Sequence, residues 1–155
     1  MSNKNVVLFN AIRSLSELIL KSLKDILASD TGINKKSGKN TLKSSDFARS
    51  LEVLTGVKED SFEFYAIGNY YWYWIENGRK PNRKMPPYEP ILRWAKKNGI
   101  PTNNSTLYAI RKSIGENGFE GRHFIEPTLD RIEKELDEWA ENLFDSIVSM
   151  LDSKF

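Results

Sequence analysis

The chain has 155 residues, 39% hydrophobic and 28% charged, enough to build one ordinary globular domain around a real core. It has no cysteine and a single histidine, which excludes disulfides, thiolate catalysis, cysteine-based zinc and any multi-histidine metal site within one chain. The formal net charge of +2 hides a segregation: residues 1–45, 46–78, 79–122 and 123–155 carry +5, −4, +7 and −6. Such blocks suit self-association or docking on charged partners, and they equally describe solvated faces.

No apolar run approaches the roughly 20 residues that span a bilayer, so no membrane contact is expected. Asn10 and Arg13 interrupt the first apolar run before a signal peptide can form. The absence of cysteine fits assembly in a reducing cytoplasm. The expected organisation is a single α+β domain over residues 1–155, a small antiparallel sheet packed by helices with long amphipathic N- and C-terminal helices. Its parts are an N-terminal helix (1–28), a flexible polar loop (29–44), an α+β core (45–125) and a C-terminal helix (126–155).

Leu8, Ile12, Leu15, Ile19, Leu23 and Ile26 recur at helical spacing and form one apolar stripe, with Arg13, Glu17, Lys21 and Lys24 off it. Ser29 to Lys43 turns polar, with Gly32, Gly38 and four lysines, and reads as a mobile loop able to order on docking. From Leu51 the period shortens to two. Val53, Thr55 and Val57, then Phe62, Phe64 and Ala66, flank the charged turn Lys58-Glu59-Asp60 and predict a β-hairpin. Phe47-Ala48 is compatible with a helical turn before it.

Tyr70 to Trp94 (YYWYWIENGRKPNRKMPPYEPILRW) is the densest stretch of the chain. It predicts a short helix closed by Asn77-Gly78, a fixed basic loop, and a second helix over Pro87–Asn98 entered through prolines, with Ile91, Trp94 and Ala95 on its inner face. Gly99 and Pro101 end that helix. Ser105 reads as the N-cap of a third helix carrying Leu107, Ile110 and Ile114, which stops near Gly118. Arg122-His123-Phe124 reads as a short extended piece. Leu129, Ile132, Leu136, Trp139, Leu143, Ile147 and Met150 then mark a final amphipathic helix that pairs antiparallel with the first.

Catalytic constellations are scarce. His123 lies between Arg122 and Phe124 and reads as a surface or loop residue rather than a general base. Ser44-Ser45-Asp46 and Ser105 read as caps. Gly115 and Gly118 lack the Lys-Ser/Thr that completes a phosphate loop. Glu76 and Glu89 are candidate paired carboxylates that no spacing positions. The sequence therefore predicts no enzyme, no cofactor and no metal.

Tyr70, Tyr71, Trp72, Tyr73 and Trp74 precede Arg79, Lys80, Arg83 and Lys84, the residue types that stack bases and hold phosphates in single-strand binders. Five consecutive aromatics point all round a helix, however, so core and protein interface are favoured over nucleic-acid stacking. A nucleic-acid-binding module using residues 70–84 is the alternative.

The ordered series Tyr71-x-Tyr73-x-Ile75-Glu76-x-Gly78-x-x-Pro81, Met85-Pro86-Pro87, Ile91-x-x-Trp94 and Lys97-x-Gly99 resembles the tail-completion (neck) proteins of long-tailed bacteriophages. Ala109-Ile110-x-x-x-Ile114-x-x-x-Gly118 and Gly121-x-x-Phe124-Ile125 continue the pattern, which covers roughly residues 45–130. The resemblance implies a structural virion protein of the head–tail junction, assembled in the host cytoplasm. It implies a homo-oligomeric ring of about six or twelve copies, contacts with portal or connector and tail proteins, and transient contact with DNA in the lumen. Within it, Glu76 and Arg79 hold the turn around Gly78, Pro81, Pro86 and Pro87 fix the loop, the cations Arg79, Lys80, Arg83 and Lys84 sit in a subunit or neighbour interface, and Tyr71, Trp72, Tyr73, Trp74 and Trp94 divide between core and interface.

Overall fold

The computed structural model describes residues 2–153. In chain order the elements are α1 (Asn3–Ala28), a 3-10 turn (Asp30–Gly32), β1 (Ile33–Asn34), β2 (Lys39–Asn40), α2 (Asp46–Ser50), β3 (Glu52–Val57) and β4 (Phe62–Ile67). They continue with α3 (Trp72–Asn77), β5 (Gly78–Arg79), α4 (Tyr88–Lys97), α5 (Asn104–Asn117), β6 (Phe119–Glu120) and α6 (Ile125–Asp152). The class is α+β, and the strands pair as three separate antiparallel ladders, β1–β2, β3–β4 and β5–β6. Where the sequence was read as one domain, internal contacts gather the chain into two compact units: residues 73–122, and the segments before and after them.

In the unit formed by the flanking segments, α1 and α6 lie antiparallel. The Trp139 indole N–H donates to Ser14 Oγ at 2.9 Å, and Arg131 Nη2 reaches Asp25 Oδ2 at 2.8 Å. The hydrogen bond from Lys21 is the main influence holding the Asp25 carboxyl below its ordinary range; burial opposes it, and the Lys21 and Arg131 charges add to it. The core gathers at the C-terminal end of α1. There Leu23, Leu27, Leu42, Phe47, Ala48, Leu51 and Phe124 are buried, with the Phe47 and Phe124 rings 5.4 Å apart. Full burial of a side chain such as Leu27 or Phe47 contributes about 2–3 kcal/mol.

The hairpin falls where the alternation placed it, with Val53 opposite Ala66 and Thr55 opposite Phe64. Its Thr55 face meets α1 through a 3.2 Å hydroxyl contact with Ser16, while Leu54, Tyr65 and Ile67 stay exposed on the other face. On that outer face Glu63 accepts from Lys58 and from the Tyr65 hydroxyl, which lowers the Glu63 carboxyl and raises the Tyr65 phenol. Ser45 caps α2 by accepting from Ala48 N–H at 3.1 Å.

The segment expected as a flexible loop is a tightly bonded hairpin. Asn40 Nδ2 donates to the carbonyls of Leu27 and Ser29, both at 2.9 Å, and Asn40 Oδ1 accepts from Leu42 and Lys43 N–H at 3.0 and 2.9 Å. One amide thereby uses its full hydrogen-bonding capacity on the backbone, so a polar composition does not mean an unstructured chain here.

In the unit of residues 73–122, α4 packs on α5, and each helix has one fully buried apolar residue, Ala95 and Leu107. Lys96 and Lys97 sit favourably in the last turn of α4, and Ile100 N–H returns to Ala95 O at 2.9 Å. Two expectations need correction. Asn103, not Ser105, caps α5: its Oδ1 accepts from Thr106 N–H at 2.9 Å, and Ser105 donates to that same oxygen. The extended pair is Phe119–Glu120 rather than Arg122-His123-Phe124, because Gly78 and Arg79 pair with Glu120 and Phe119. Phe124 instead turns into the core of the flanking unit beside Phe47.

Candidate functional site

The basic loop between β5 and α4 is the best-defined exposed feature of the unit spanning 73–122. It begins at Gly78, where φ is +70° and where a Cβ would collide with the Phe119 carbonyl and the Gly121 amide. Only glycine tolerates both the left-handed backbone and that approach. The closeness is what lets β5 pair with β6, and Arg122 N–H adds a 2.7 Å bond to Ile75 O.

Beyond β5 the loop is tied to the C-terminal end of α5. Asn82 N–H donates to Glu116 O at 3.0 Å and Arg83 N–H to Gly115 O at 2.8 Å. The last carbonyls of a helix have no partner within it, and here a neighbouring loop supplies the donors. Gly115 is buried, and a Cβ there would stand 2.8 Å from Arg83 O and 3.3 Å from Met85 N. The glycine that fails as part of a phosphate loop thus serves as a seat for this one. Arg111 completes the attachment: its Nε donates to Pro86 O at 2.8 Å, and its guanidinium stands 5.8 Å from the Tyr88 ring centre.

The predicted site residues separate into two groups. Gly78, Arg79 and Pro86 belong to the framework: Pro86 is buried, and half-buried Arg79 donates through Nη2 to the Lys84 carbonyl, closing the loop on itself. Lys80, Pro81, Arg83, Lys84 and Pro87 are exposed, and among the described residues Lys80, Arg83 and Lys84 form no ion pair. Glu76 is half-buried in α3, and its carbonyl lies against Gly121.

Among the aromatics, Tyr71 is half-buried and stands 6.4 Å from the Phe47 ring, with its hydroxyl bonded to Asn69 Nδ2 at 2.9 Å. Trp72, Tyr73 and Trp74 are exposed, and the Tyr73 and Trp74 rings meet edge-on at 6.3 Å. Trp94 departs from expectation. It is 48% exposed, while Ala95, a full residue step or about 100° round the helix, is fully buried.

Net charge follows the units. Residues 73–122 hold ten Lys/Arg against four Asp/Glu, +6, and the flanking segments hold thirteen against seventeen, −4. His123 is exposed on a left-handed backbone, φ +47°. Among the described residues no three of His, Asp and Glu cluster so as to hold a metal ion, and no helix is long and apolar enough to cross a membrane.

What the loop offers chemically is a set of cations on a backbone fixed before any ligand arrives. Sequence reasoning missed Gly115 and Arg111. The signal was there for the first: a lone glycine inside a helical pattern usually marks a close approach. Comparison of the chain with protein-family models, with curated proteins and with solved structures finds no match.

Proposed function

We propose that the protein is a structural component of the head–tail junction of a long-tailed bacteriophage and works by binding. Copies associate into a ring, and the loop spanning 79–87 docks on an acidic surface of a neighbouring connector or tail protein. The observation that carries this reading is the preorganised loop. Its backbone is spent on α5 and on Arg79, so Lys80, Arg83 and Lys84 meet a partner with little ordering cost. Exposed Tyr73, Trp74 and Trp94 in the same unit are the residue types that anchor protein interfaces. The ordered motifs from Tyr71 to Ile125 supply the choice of a neck protein over other assembly proteins.

The alternative, a nucleic-acid-binding module, draws on the same exposed tryptophans. Titration of the free protein against single-stranded and duplex DNA over a salt series separates the two. A neck protein binds weakly at physiological salt. Tight binding whose logarithm falls steeply with log salt, and which is lost on Trp72→Ala or Trp74→Ala, contradicts the assembly reading. Imaging of intact particles carrying tagged protein is expected to place the tag at the junction.

A further inference from the structure

The α1–α6 pair has two unlike sides. One is a groove of mixed lining, where Asn10, Arg13 and Glu138 stand beside Val7, Leu18 and Leu143. On the opposite side lie Leu8 and Ile12 of α1, at about 60° and 100° round the helix from Ala11. Leu136, Ala140, Phe144, Ile147 and Leu151 of α6 lie at about 60–140° from Trp139. Because the helices run antiparallel, an equal sense of rotation brings both sets to the same side of the pair. Toward the C-terminal end of α1 that side is covered by the β3–β4 hairpin, at Ser16 and Thr55. Toward its N-terminal end the side is open, with Phe9 58% and Phe144 65% exposed.

We infer that this open face pairs with the same face of a second copy, forming a four-helix bundle in which α1 of each copy lies on α6 of the other. Charge selects this partner and this arrangement. Helix α1 carries four Lys/Arg against two Asp/Glu, +2, while α6 carries two against nine, −7. Stacking α6 on α6 opposes like charges, and stacking α6 on α1 joins opposite ones. A two-fold axis parallel to the helices achieves the second and makes every neighbouring pair antiparallel, the up-down geometry of four-helix bundles.

The area suffices. Leu8, Phe9, Leu136, Phe144, Ile147 and Leu151 leave roughly 600 Å² of apolar surface in water, taking about 200 Å² for a fully exposed large side chain. That is at the upper end of what a monomer shows in one patch. Two such faces, fully covered, bury roughly 1,200 Å², the lower end of the range for a specific stable contact. The pairing is isologous and stops at two copies by itself. It rests on the reading that copies associate, and it names the surface through which pairs of them do so.

The chain has no cysteine, which makes a cross-linking test clean. Ala11 and Ser14 stand opposite Trp139, so Ile12 and Ala140 share a level along the pair. Mixing Ile12→Cys protein with Ala140→Cys protein under mild oxidation is expected to give a disulfide-linked pair of chains, and neither variant alone does so. By sedimentation at tens of micromolar, the wild type shows an even number of chains and Phe144→Glu half that mass. Phe144 is exposed, so the substitution spares the fold, which a melting curve checks, and Leu8→Lys serves as a second variant. A wild type with the mass of one chain, an assembly unaffected by Phe144→Glu, or a disulfide formed by Ala140→Cys alone overturns the inference. None of these variants touches Lys80, Arg83 or Lys84, so docking through the basic loop is judged separately.

Discussion

Two polar, lysine-rich segments of this chain, 29–43 and 79–87, look alike in composition and are held in opposite ways. The first is organised largely by asparagine side chains: the Asn40 amide bonds to four backbone groups, and Asn34 Oδ1 accepts from Lys36 and Ser37 N–H beside the short β1–β2 ladder. The second is held to the end of α5 by its own backbone amides, with the Arg111 and Arg79 guanidinium groups bonded to loop carbonyls, and glycine at positions 78 and 115 permits the approach. Polarity therefore says little about order. What decides is whether each buried backbone group finds a partner, and a single asparagine or a helix end can supply it. The difference also bears on binding, because a loop held through its backbone keeps its side chains for a partner.

The largest effect is expected at Gly78. Gly78→Ala is expected to cost about 3–4 kcal/mol, combining the left-handed backbone with collision against β6. Chemical denaturation measures it, and a loss under 1 kcal/mol, on the order of an ordinary surface change, means β5 does not pair as described. Asn40→Ala comes next, at about 2–3 kcal/mol, since four partly exposed backbone partners lose one amide. Proteolysis within 29–43 should accelerate in that variant while the 79–87 loop stays as resistant as before. Arg111→Ala, which removes one hydrogen bond and a ring contact, is expected to cost about 1–2 kcal/mol and to loosen the 79–87 loop alone.

Acid titration sharpens the contrast between seam and loops. The Asp25 carboxyl is held below its ordinary range chiefly by the Lys21 hydrogen bond. The contribution is present above the unfolded-state value near 4 and is lost as pH falls through the lower folded value. The difference in melting temperature between wild type and Asp25→Asn should therefore shrink on acidification below about pH 4. A difference unchanged from neutral pH to pH 3 would show that the Asp25 charge contributes nothing.

Much of the first unit was legible in the sequence. The period-two run from Val53 to Ala66 and the long stripes of α1 and α6 state their own structure, because one buried face imposes one period. The second unit was harder to read. Trp94 shares a helical face with Ile91 and Ala95 by its spacing, yet Ala95 is fully buried and Trp94 is about half exposed. Asn103 and Ser105 are equally good caps in isolation, and Asn103 takes the position because its side chain reaches Thr106 N–H. Arg79 reads both as a holder of the turn and as one of four loop cations, and its bond to the Lys84 carbonyl withdraws it from the exposed set. The seat at Gly115 and the hold of Arg111 on Pro86 join residues 25 or more positions apart, which periodicity does not report.

On the proposed function, the three exposed cations of the 79–87 loop act on a protein partner and not on the fold. The direct measurement is head-to-tail joining with the Lys80→Glu, Arg83→Glu, Lys84→Glu variant, alongside its melting curve. A stability change within about 0.5 kcal/mol is expected, as for surface sites, together with loss of joined particles. Normal joining by the folded triple variant would contradict the claim.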